Sequence, residues 1–427
     1  MPPSRSAPLA TGQLKAAGAL RPDACLRLLT HVGAHSLRNM GRKGQVDPAA
    51  ANRLTGPGLS QAELRALKIN EAGLGLDSLA RLDLAMDVSR FFEMDRTGAD
   101  DYLTVRRTVG DWADLAAEHL RLAGDDAALV FATSGSTGPP KHLRHTLLSL
   151  RAEMHAFLAL PQIAAAPPHR IVSLVPAHHI YGALYSVILP DVTGAESLDL
   201  WGRPASAVAR RLKAGDLVIG TPRDWGALAS GGFEIPEGVG GVCSSGPSSD
   251  GLWREVKESG LETLTEVFGS TETGGLGWRT DGQAPFTLHD HLARSENGVF
   301  SVGDGRQLPL QDALKWSGDR EFRPEQRLDA AVVVAGVNVS LRNVREVLCA
   351  CPGVVDAAVR PGASRLKAFV VPASTGDINE LEERLRAHAS RALEAAARPM
   401  HFTFGPALPR NTMGKLTDWP LQEPAGN

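Results

Sequence analysis

Residues 133–141 combine hydroxyl side chains, glycines and a lysine in one short segment. It follows an apolar run at residues 127–132, which predicts a buried strand. The segment consists of Thr133, Ser134, Gly135, Ser136, Thr137, Gly138, two prolines and Lys141. Hydroxyl donors, a closely approaching backbone and a cation suit a loop that wraps a polyphosphate. The lysine follows prolines, so the segment differs from the G-x-x-x-x-G-K-[ST] loop. A flexible linker is the alternative, but the preceding strand and the lysine favour a phosphate loop.

Four further segments combine glycine or proline with polar side chains. They are residues 176–182 (PAHHIYG), 245–247 (SGP), 268–272 (FGSTE) and 409–415 (PRNTMGK). Taken alone, each has a plainer interpretation: Glu272 would be a surface carboxylate and Lys415 a solvated lysine. The adjacent His178 and His179 invite a metal site, although no cysteine or carboxylate lies beside them at ligand spacing.

Together the five segments resemble the motifs of the adenylate-forming superfamily, which comprises acyl- and aryl-CoA synthetases, peptide-synthetase adenylation domains and luciferases. Residues 133–141 resemble its signature loop, residues 268–272 resemble YGxTE, and residues 409–415 resemble the terminal PRTxxGK. The tetrapeptide HIYG is similar to that of 4-coumarate and other aryl-acid ligases. Five motifs in the family's order are very hard to obtain by accident, so the chain is identified as a member.

The resemblance implies a two-step reaction that uses ATP and Mg2+. A carboxylate attacks the α-phosphate of ATP to give acyl-AMP and pyrophosphate, and a thiol then takes the acyl group. Because an anion approaches a polyanion, charge neutralisation and positioning should dominate catalysis. The family pattern implies that Lys415 bridges the carboxylate and the α-phosphate, that Thr271 hydrogen-bonds this phosphate, and that Glu272 is a ligand of Mg2+. The loop at residues 133–141 would cover the β- and γ-phosphates.

The resemblance also implies which residues surround the nucleotide. Asp319, in the sequence WSGD, superficially resembles the ribose-binding aspartate of the family. Asp312, however, precedes Arg327 by fifteen residues, which is the family's spacing, so Asp312 is expected to bind the ribose hydroxyls. The expected nucleotide-binding residues are Ser245, Gly246, Pro247, Phe268, Asp312 and Arg327.

The segment HIYG favours an aryl or hydroxyaryl acid as substrate. The resemblance implies a substrate pocket formed by His179, Tyr181, Gly182 and Gly274. Of the two adjacent histidines, His179 is expected to form an aromatic-like wall of this pocket rather than to bind a metal.

Asp329 matches the family's hinge. Such enzymes rotate the C-terminal domain between the two half-reactions, which withdraws the catalytic lysine and opens a channel for the thiol. Gly336 stands where the family has a glycine beside the incoming pantetheine. The chain departs from the family pattern at His142 and Gln326, each of which replaces a glycine. We expect altered loop geometry from these departures rather than inactivity.

The elements that must position these residues alternate between strands and helices. Strands are predicted at residues 127–132, 171–175, 216–220 and 241–244, and helices at residues 147–158, 205–213 and 251–258. This alternation is typical of a layered α/β domain.

After residue 329, short strands alternate with helices at residues 341–349 and 378–393, which indicates a compact α+β module. We therefore predict an α/β fold with a large layered adenylation domain at residues 56–328, abbreviated at its N-terminus. An N-terminal extension at residues 1–55 precedes it, and a smaller, mobile C-terminal lid domain at residues 329–427 carries the catalytic lysine.

The region before the phosphate loop is shorter than in most members of the family. Residues 73–79 (GLGLDSL) resemble the phosphopantetheine-attachment motif of acyl carrier proteins, with Ser78 as the modified residue. The alternative is a capped amphipathic helix at residues 76–92 that fills out the shortened domain. A further helix is predicted after Thr108. These observations leave both interpretations of Ser78 open.

Composition and charge indicate the cellular compartment and limit the classes of binding partner. The 427 residues suffice for two or three domains, and 45 Lys+Arg against 48 Asp+Glu weaken the case for nucleic-acid or anionic-membrane binding. No apolar run approaches the roughly 18–20 residues that cross a bilayer. The first residues lack the continuous apolar region of a signal peptide, and four cysteines do not form a disulfide framework. A cytoplasmic monomer or homodimer is expected.

The expected partners are a small-molecule carboxylic acid and a thiol acceptor. The acceptor is CoA or the phosphopantetheine thiol of an acyl carrier protein. A competing hypothesis is a non-catalytic, nucleotide- or carrier-binding interaction protein descended from this family. The presence of both Lys415 and Glu272 argues against that alternative.

Overall fold

The computed structural model describes residues 19–56, 59–132, 141–246, 248–296, 298–327, 331–334, 337–362, 365–374, 377–411 and 416–420. The chain divides into two compact units, Met1–Pro309 and Leu310–Asn427. The predicted domain boundary at residue 329 lies outside the described residues and stays a prediction.

The first unit begins with a layer of helices. They are α1 (Pro22–Arg42), α2 (Asn52–Thr55), α3 (Gln61–Ala66), α4 (Ser78–Phe92) and α5 (Val109–Ala123). Helix α1 packs against α4 and α5. The sequence pattern does not predict α1, because residues 28–34 are buried without interruption, including Thr30 and His31. The helix also begins without a side-chain cap, since its N-cap residue is Arg21, so the usual signal for the start of a helix is absent.

Side-chain caps set the starts of α4 and α5. Asp77 accepts a hydrogen bond from the Ala80 N–H at 2.8 Å, and Thr108 and Asp111 form a reciprocal capping box. Such caps satisfy backbone donors that the helix itself leaves unpaired. Ser78 is exposed on the first turn of α4, whose opposite side packs into the unit. The capped-helix interpretation of residues 76–92 therefore describes the local structure, and modification of Ser78 stays a prediction.

The remainder of the first unit alternates strands with helices. The elements are β1 (Ala128–Ala132), β2 (His142–Thr146), α6 (Leu147–Leu158), α7 (Pro161–Ala165), β3 (Arg170–Ser173), α8 (Ile180–Ala183), α9 (Leu189–Thr193), β4 (Glu196–Asp199), α10 (Ala205–Ala209), β5 (Asp216–Gly220), α11 (Pro222–Ser230), β6 (Gly240–Cys243), α12 (Asp250–Glu258), β7 (Thr263–Ser270), β8 (Gly274–Arg279), β9 (Phe286–Leu288), β10 (Leu292–Ser295) and β11 (Gly298–Ser301). A π-helical turn, Leu184–Ile188, joins α8 to α9.

Seven strands of this unit form a sheet in the order β4-β3-β5-β6-β7-β8-β9. The first five are parallel, and β8 and β9 are antiparallel additions. Every residue of β5 is buried, as expected for a parallel strand covered on both faces. Trp225 and Leu228 of α11 and Leu252 of α12 pack against Val218 in a hydrophobic core. This arrangement confirms the predicted layered α/β fold.

Two antiparallel hairpins lie beside the sheet of the first unit. Strands β1 and β2 form one, and β10 and β11 form the other. In the first hairpin Ala132 pairs with His142, so the predicted phosphate loop connects two strand ends that are held side by side.

The second unit has strands and two main helices. They are β12 (Asp312–Trp316), β13 (Glu321–Arg327), β14 (Ala331–Val334), β15 (Val337–Ser340), α13 (Leu341–Cys349), β16 (Val354–Pro361), β17 (Leu366–Pro372), α14 (Ile378–Ala392) and β18 (His401–Phe404). Strands β16, β17 and β18 form a sheet in which β16 is antiparallel and β18 parallel to β17. Leu348 of α13 and Leu385 of α14 pack against Ala368 and Val370 of β17. The unit is the compact α+β module that the sequence predicts.

Within the described parts of the chain, no helix has both the length and the apolar character needed to span a membrane.

Candidate active site

The carboxyl ends of three adjacent parallel strands bring the central motifs together. Strand β5 ends at Gly220, β6 at Cys243 and β7 at Ser270. Parallel strands that are neighbours in a sheet end at the same edge, which is where open α/β sheets bind ligands. The predicted adenine segment follows β6 directly, and Thr271 and Glu272 follow β7 directly. The structure therefore brings these two segments to one edge of the sheet.

The turn between β7 and β8 presents Thr271 and Glu272, both half-buried. The Ser270 N–H donates to Thr273 Oγ1 at 3.2 Å, and the Thr273 hydroxyl donates to the Gly274 carbonyl at 2.8 Å. These two contacts close the turn from both sides. The turn holds Thr271 and Glu272 at a site that solvent, and hence a ligand, can reach.

His145 ties the phosphate-loop hairpin to this turn. Its Nε2 donates to the Thr271 carbonyl at 2.7 Å, and the residue is only 4% exposed. Burial lowers the pKa of His145, although the Thr271 carbonyl opposes this, so the imidazole is neutral at pH 7. Strand β2 begins directly after Lys141, so the contact brings the end of the predicted phosphate loop toward Thr271 and Glu272. The sequence motifs did not indicate a role for His145.

Only the end of the phosphate loop is described. Lys141 is exposed at the start of β2. The predicted phosphate-binding residues Thr133, Ser134, Gly135, Ser136, Thr137 and Gly138 lie outside the described residues, as does Pro247 of the adenine segment.

The adenine segment has an unusual backbone. Ser245 has φ of 76°, in the left-handed region that non-glycine residues seldom occupy. Ser244 before it is fixed by its hydroxyl, which donates to the Val267 carbonyl of β7 at 2.8 Å. Phe268 of β7 lies 5.4 Å from Phe286 between ring centres. Strained backbone of this kind clusters at functional sites, where surrounding contacts maintain it.

Gly274, predicted to line the acid pocket, lies over a buried carboxyl group. Its φ is 72°, and a Cβ added there would lie 2.5 Å from Glu153 Oε2. The neighbouring Gly275 N–H donates to Glu153 Oε1 at 2.9 Å. Burial raises the pKa of Glu153 to about 8, against the opposing effect of this hydrogen bond, so the carboxyl is protonated at pH 7. In the sequence, the only signal for Glu153 is its place on the buried face of α6, beside Leu150 and Phe157.

Tyr181 and Gly182 fix the HIYG segment against the sheet. The Tyr181 hydroxyl lies 2.9 Å from the Gly220 carbonyl and 3.0 Å from the Val242 carbonyl and donates to this pair. Burial raises the pKa of Tyr181, so the phenol stays protonated. A Cβ on Gly182 would lie 2.1 Å from the Pro176 carbonyl oxygen, so this position requires glycine. The hydroxyl of Tyr181 thus braces the segment at the ends of β5 and β6.

His178 and His179 belong to a cluster of aromatic rings. The His178 ring centre lies 4.2 Å from that of His179, 4.4 Å from that of His35 on α1 and 6.0 Å from that of Trp201. Burial, reinforced by the neighbouring histidines, lowers the pKa of His178 well below its usual value. Burial likewise lowers the pKa of His35. No group of three or more potential metal ligands lies together in the described part of the chain. The cluster offers flat aromatic surfaces that suit an aryl group.

In the second unit, Asp312 and Arg327 are direct partners across β12 and β13. The alternative, Asp319, lies in the turn that joins these strands. The hinge residue Asp329, Gly336 and the catalytic candidate Lys415 lie outside the described residues, so their roles stay predictions.

The residues on either side of the Lys415 segment are held in the second unit. Arg410 and Leu416 form a β-bridge, and the Arg360 guanidinium donates to the Leu416 carbonyl at 2.7 Å. Lys367 donates to the Trp419 carbonyl at 2.6 Å. These contacts fix where the segment that contains Lys415 begins and ends.

Comparison with known families gives two matches along the chain. The sequence model described as AMP-binding enzyme matches residues 73–299, and that described as AMP-binding enzyme C-terminal domain matches residues 343–415. The second match ends on the lysine that the sequence analysis singles out.

Two curated relatives match most of the chain. A protein of Rhodobacter capsulatus named 4-coumarate–CoA ligase is 45% identical over 82% of this chain and 92% of its own length. A protein of Cereibacter sphaeroides with the same name is 41% identical over 92% of this chain and 95% of its own length.

Solved structures share the fold at low identity. MatB from Rhodopseudomonas palustris bound to ATP has a TM-score of 0.54 and 17% identity, with 91% of each chain covered. O-succinylbenzoate coenzyme A synthetase (MenE) from Bacillus subtilis bound to AMP has a TM-score of 0.52 and 18% identity, covering 74% of this chain and 75% of its own. Identities this low support likeness of fold alone.

Proposed function

The chain belongs to the AMP-binding enzyme family, and from this premise we propose that it activates an aryl or hydroxyaryl acid with ATP and transfers the acyl group to CoA. In the first step a carboxylate oxygen bonds to the α-phosphorus, and the bond from that phosphorus to pyrophosphate breaks. In the second step the thiol sulfur attacks the acyl carbonyl, AMP leaves, and the thiol proton is released. Both steps transfer a group without any change of oxidation state.

The observation that carries this proposal is the shared edge of β5, β6 and β7. The adenine segment, the Thr271–Glu272 turn and the carbonyls that hold Tyr181 all lie at the carboxyl ends of these strands. The hydrogen bond from His145 to Thr271 adds the hairpin that carries the phosphate loop. An acid bound near HIYG would thus reach a nucleotide whose phosphates lie near residue 271, which is the proximity that adenylation requires.

Mg2+ is the metal that this arrangement fits. Glu272 is a half-buried carboxylate in a turn, and Mg2+ binds through one or two carboxylates together with substrate phosphates and waters. When bound, the ion would neutralise charge on the phosphates and orient them. Lys415 would supply the second cation, between the carboxylate and the α-phosphate.

An aryl acid is favoured by the aromatic rings of the histidine cluster. His35, His178, His179 and Trp201 lie within ring-stacking distance of one another. Burial lowers the pKa of His178 and of His35, and a neutral ring accepts the face or edge of another aromatic ring without the cost of burying a charge. The two relatives named 4-coumarate–CoA ligase support a substrate of the 4-coumarate type.

CoA is the proposed acceptor, with the phosphopantetheine arm of a carrier protein as the alternative. The relatives are named as CoA ligases. Ser78, the predicted attachment residue, opens a helix that is capped by Asp77 and packed into the first unit.

ATP–pyrophosphate exchange across a panel of acids tests the proposal. We expect exchange with 4-coumarate and related aryl acids, little with aliphatic acids, and none when EDTA removes Mg2+. Addition of CoA should then yield the thioester, whereas a phosphopantetheinylated carrier should not. Absence of exchange with every acid, in protein shown by circular dichroism to be folded, would refute the enzymatic function and favour the interaction-protein hypothesis.

A further inference from the structure

His31 on helix α1 connects two distant segments of the first unit. Its Nε2 lies 2.5 Å from Asp199 Oδ2 at the end of β4, and its Nδ1 lies 3.1 Å from the Ala177 backbone nitrogen. The side chain is only 2% exposed. The contact with Ala177 involves only its backbone, and Asp199 lies outside the five motifs.

The hydrogen bonds define which nitrogen of His31 carries the proton. A backbone N–H can only donate, so Nδ1 must be the acceptor for Ala177. Nε2 therefore carries the proton and donates to the Asp199 carboxylate. An aspartate–histidine pair often serves as a general base, but here both nitrogens are occupied and no lone pair is left for a substrate. His31 is consequently suited to positioning and not to proton transfer.

The two groups that His31 holds adjoin the ring cluster of His35, His178, His179 and Trp201. Ala177 directly precedes His178 and His179. Asp199 also accepts a hydrogen bond from the backbone N–H of Trp201 at 2.9 Å, and the Trp201 ring lies 5.2 Å from His31 and 6.0 Å from His178 between centres. His31 thus holds the residue that precedes the two histidines, while Tyr181 holds the segment after them.

We propose that His31 is a positioning residue of the aryl-acid pocket, which holds the Ala177 N–H and the Asp199 carboxylate together and thereby sets the affinity for the acid. This inference rests on the proposed function, because it assigns the rings next to Ala177 to the acid. It predicts a specific effect on the acid and none on ATP.

Two substitutions of His31 separate its two hydrogen bonds. In His31→Asn the amide oxygen takes the place of Nδ1 and can accept from Ala177. In His31→Gln the amide nitrogen takes the place of Nε2 and can donate to Asp199, but the Ala177 N–H is left unpaired. We expect His31→Gln to raise KM for the acid about tenfold or more, with kcat of pyrophosphate exchange and KM for ATP changed less than twofold. His31→Asn, which loses the hydrogen bond to Asp199, should raise the acid KM about threefold.

His119 provides matched control variants. It is equally buried, its Nε2 lies 2.8 Å from the Phe92 carbonyl and its Nδ1 lies 2.7 Å from the Thr97 hydroxyl. His119→Asn and His119→Gln should lower Tm without changing KM for the acid. This pair measures what the loss of a buried histidine does to the fold alone.

The outcomes are distinguishable. If His31→Gln lowers Tm but leaves the acid KM unchanged, or raises the KM values of acid and ATP equally, the positioning role is refuted while the proposed function stands. If the wild-type protein exchanges pyrophosphate with no acid, the proposed function itself has failed. Should His31→Gln not fold, Asp199→Asn retains the imidazole and weakens its second hydrogen bond. That variant is expected to raise the acid KM about threefold, and an unchanged KM would likewise refute the role.

Discussion

Replacement of Glu153 by glutamine is expected to stabilise the first unit in a way that grows with pH. Glu153 is 4% exposed, and its carboxyl accepts a hydrogen bond from the Gly275 N–H. A glutamine can accept the same hydrogen bond through its amide oxygen, has nearly the same volume, and does not titrate. The comparison therefore isolates the free energy of burying an ionisable group.

The size of this stabilisation follows from the pKa of Glu153 in the unfolded chain and its pKa in the folded chain. Burial raises the pKa of Glu153 from 4.5 to about 8. Between these values the unfolded chain has released the proton and the folded chain still binds it, so the free energy of unfolding falls as pH rises. The slope for one proton is about 1.4 kcal/mol per pH unit, and the total loss is about 5 kcal/mol. The stabilising contribution is complete below about pH 4.5 and is lost as pH rises through about 8.

Urea denaturation from pH 5 to pH 9, followed by tryptophan fluorescence, measures this effect. Five of the seven tryptophans lie in the unit that contains Glu153, namely Trp112, Trp201, Trp225, Trp253 and Trp278. The free energy of unfolding of Glu153→Gln minus that of wild type should rise by about 1.4 kcal/mol per pH unit and level off above pH 8. Glu255→Gln, at an exposed position of α12 in the same unit, controls for exchange of a carboxylate for an amide.

A difference between Glu153→Gln and wild type that stays constant from pH 5 to pH 9 would refute the reasoning. It would mean that the carboxyl of Glu153 titrates alike in the folded and unfolded chain. A variant less stable than wild type at every pH would mean instead that the folded protein holds this carboxylate ionised.

Three further predictions concern the remaining site residues. Tyr181→Phe should lower the free energy of unfolding by about 1–3 kcal/mol in urea, because the buried carbonyls of Gly220 and Val242 lose the hydrogen bonds of the phenol, and only that of Val242 keeps a side-chain donor, Trp225 Nε1. Tyr185→Phe, whose buried hydroxyl has no hydrogen-bond partner among the described residues, should cost nothing, and equal losses would contradict this. Gly274→Ala should slow pyrophosphate exchange at least about tenfold, because the added Cβ meets a carboxyl oxygen of Glu153 at 2.5 Å. Gly194→Ala, with φ of 73° and nothing within 4 Å, measures backbone strain alone, and the same loss there would remove the steric argument. Lys415→Ala should reduce pyrophosphate exchange by orders of magnitude while thioester formation from supplied acyl-adenylate survives, and equal loss of both steps would contradict its assignment to the first step.

Local sequence signals predicted several main elements of the two units, although they did not predict β7 and β8, whose turn presents Thr271 and Glu272. The bounds of β5, α6 and α13 agree with the predicted residues 216–220, 147–158 and 341–349. Each of these elements is marked by an apolar run, a capping residue or a strong apolar stripe that lies within the element itself. Helix α1 was missed because it begins without a side-chain cap and buries the polar residues Thr30 and His31 among its apolar ones.

The sequence was also enough to predict the chemistry. The phosphate loop, HIYG and FGSTE are each contiguous segments, so the motifs and their order along the chain can be recognised without a structure. The tertiary structure alone decided which buried polar groups support them. His145 reaches Thr271 across 126 residues, Glu153 reaches Gly275 across 122, and His31 reaches Ala177 across 146. Each is a side chain that meets a backbone group, and a backbone group carries no residue identity that a sequence pattern could reveal. Only the folded chain shows that these three contacts join β2, α6 and α1 to the segments around Thr271, Gly275 and Ala177.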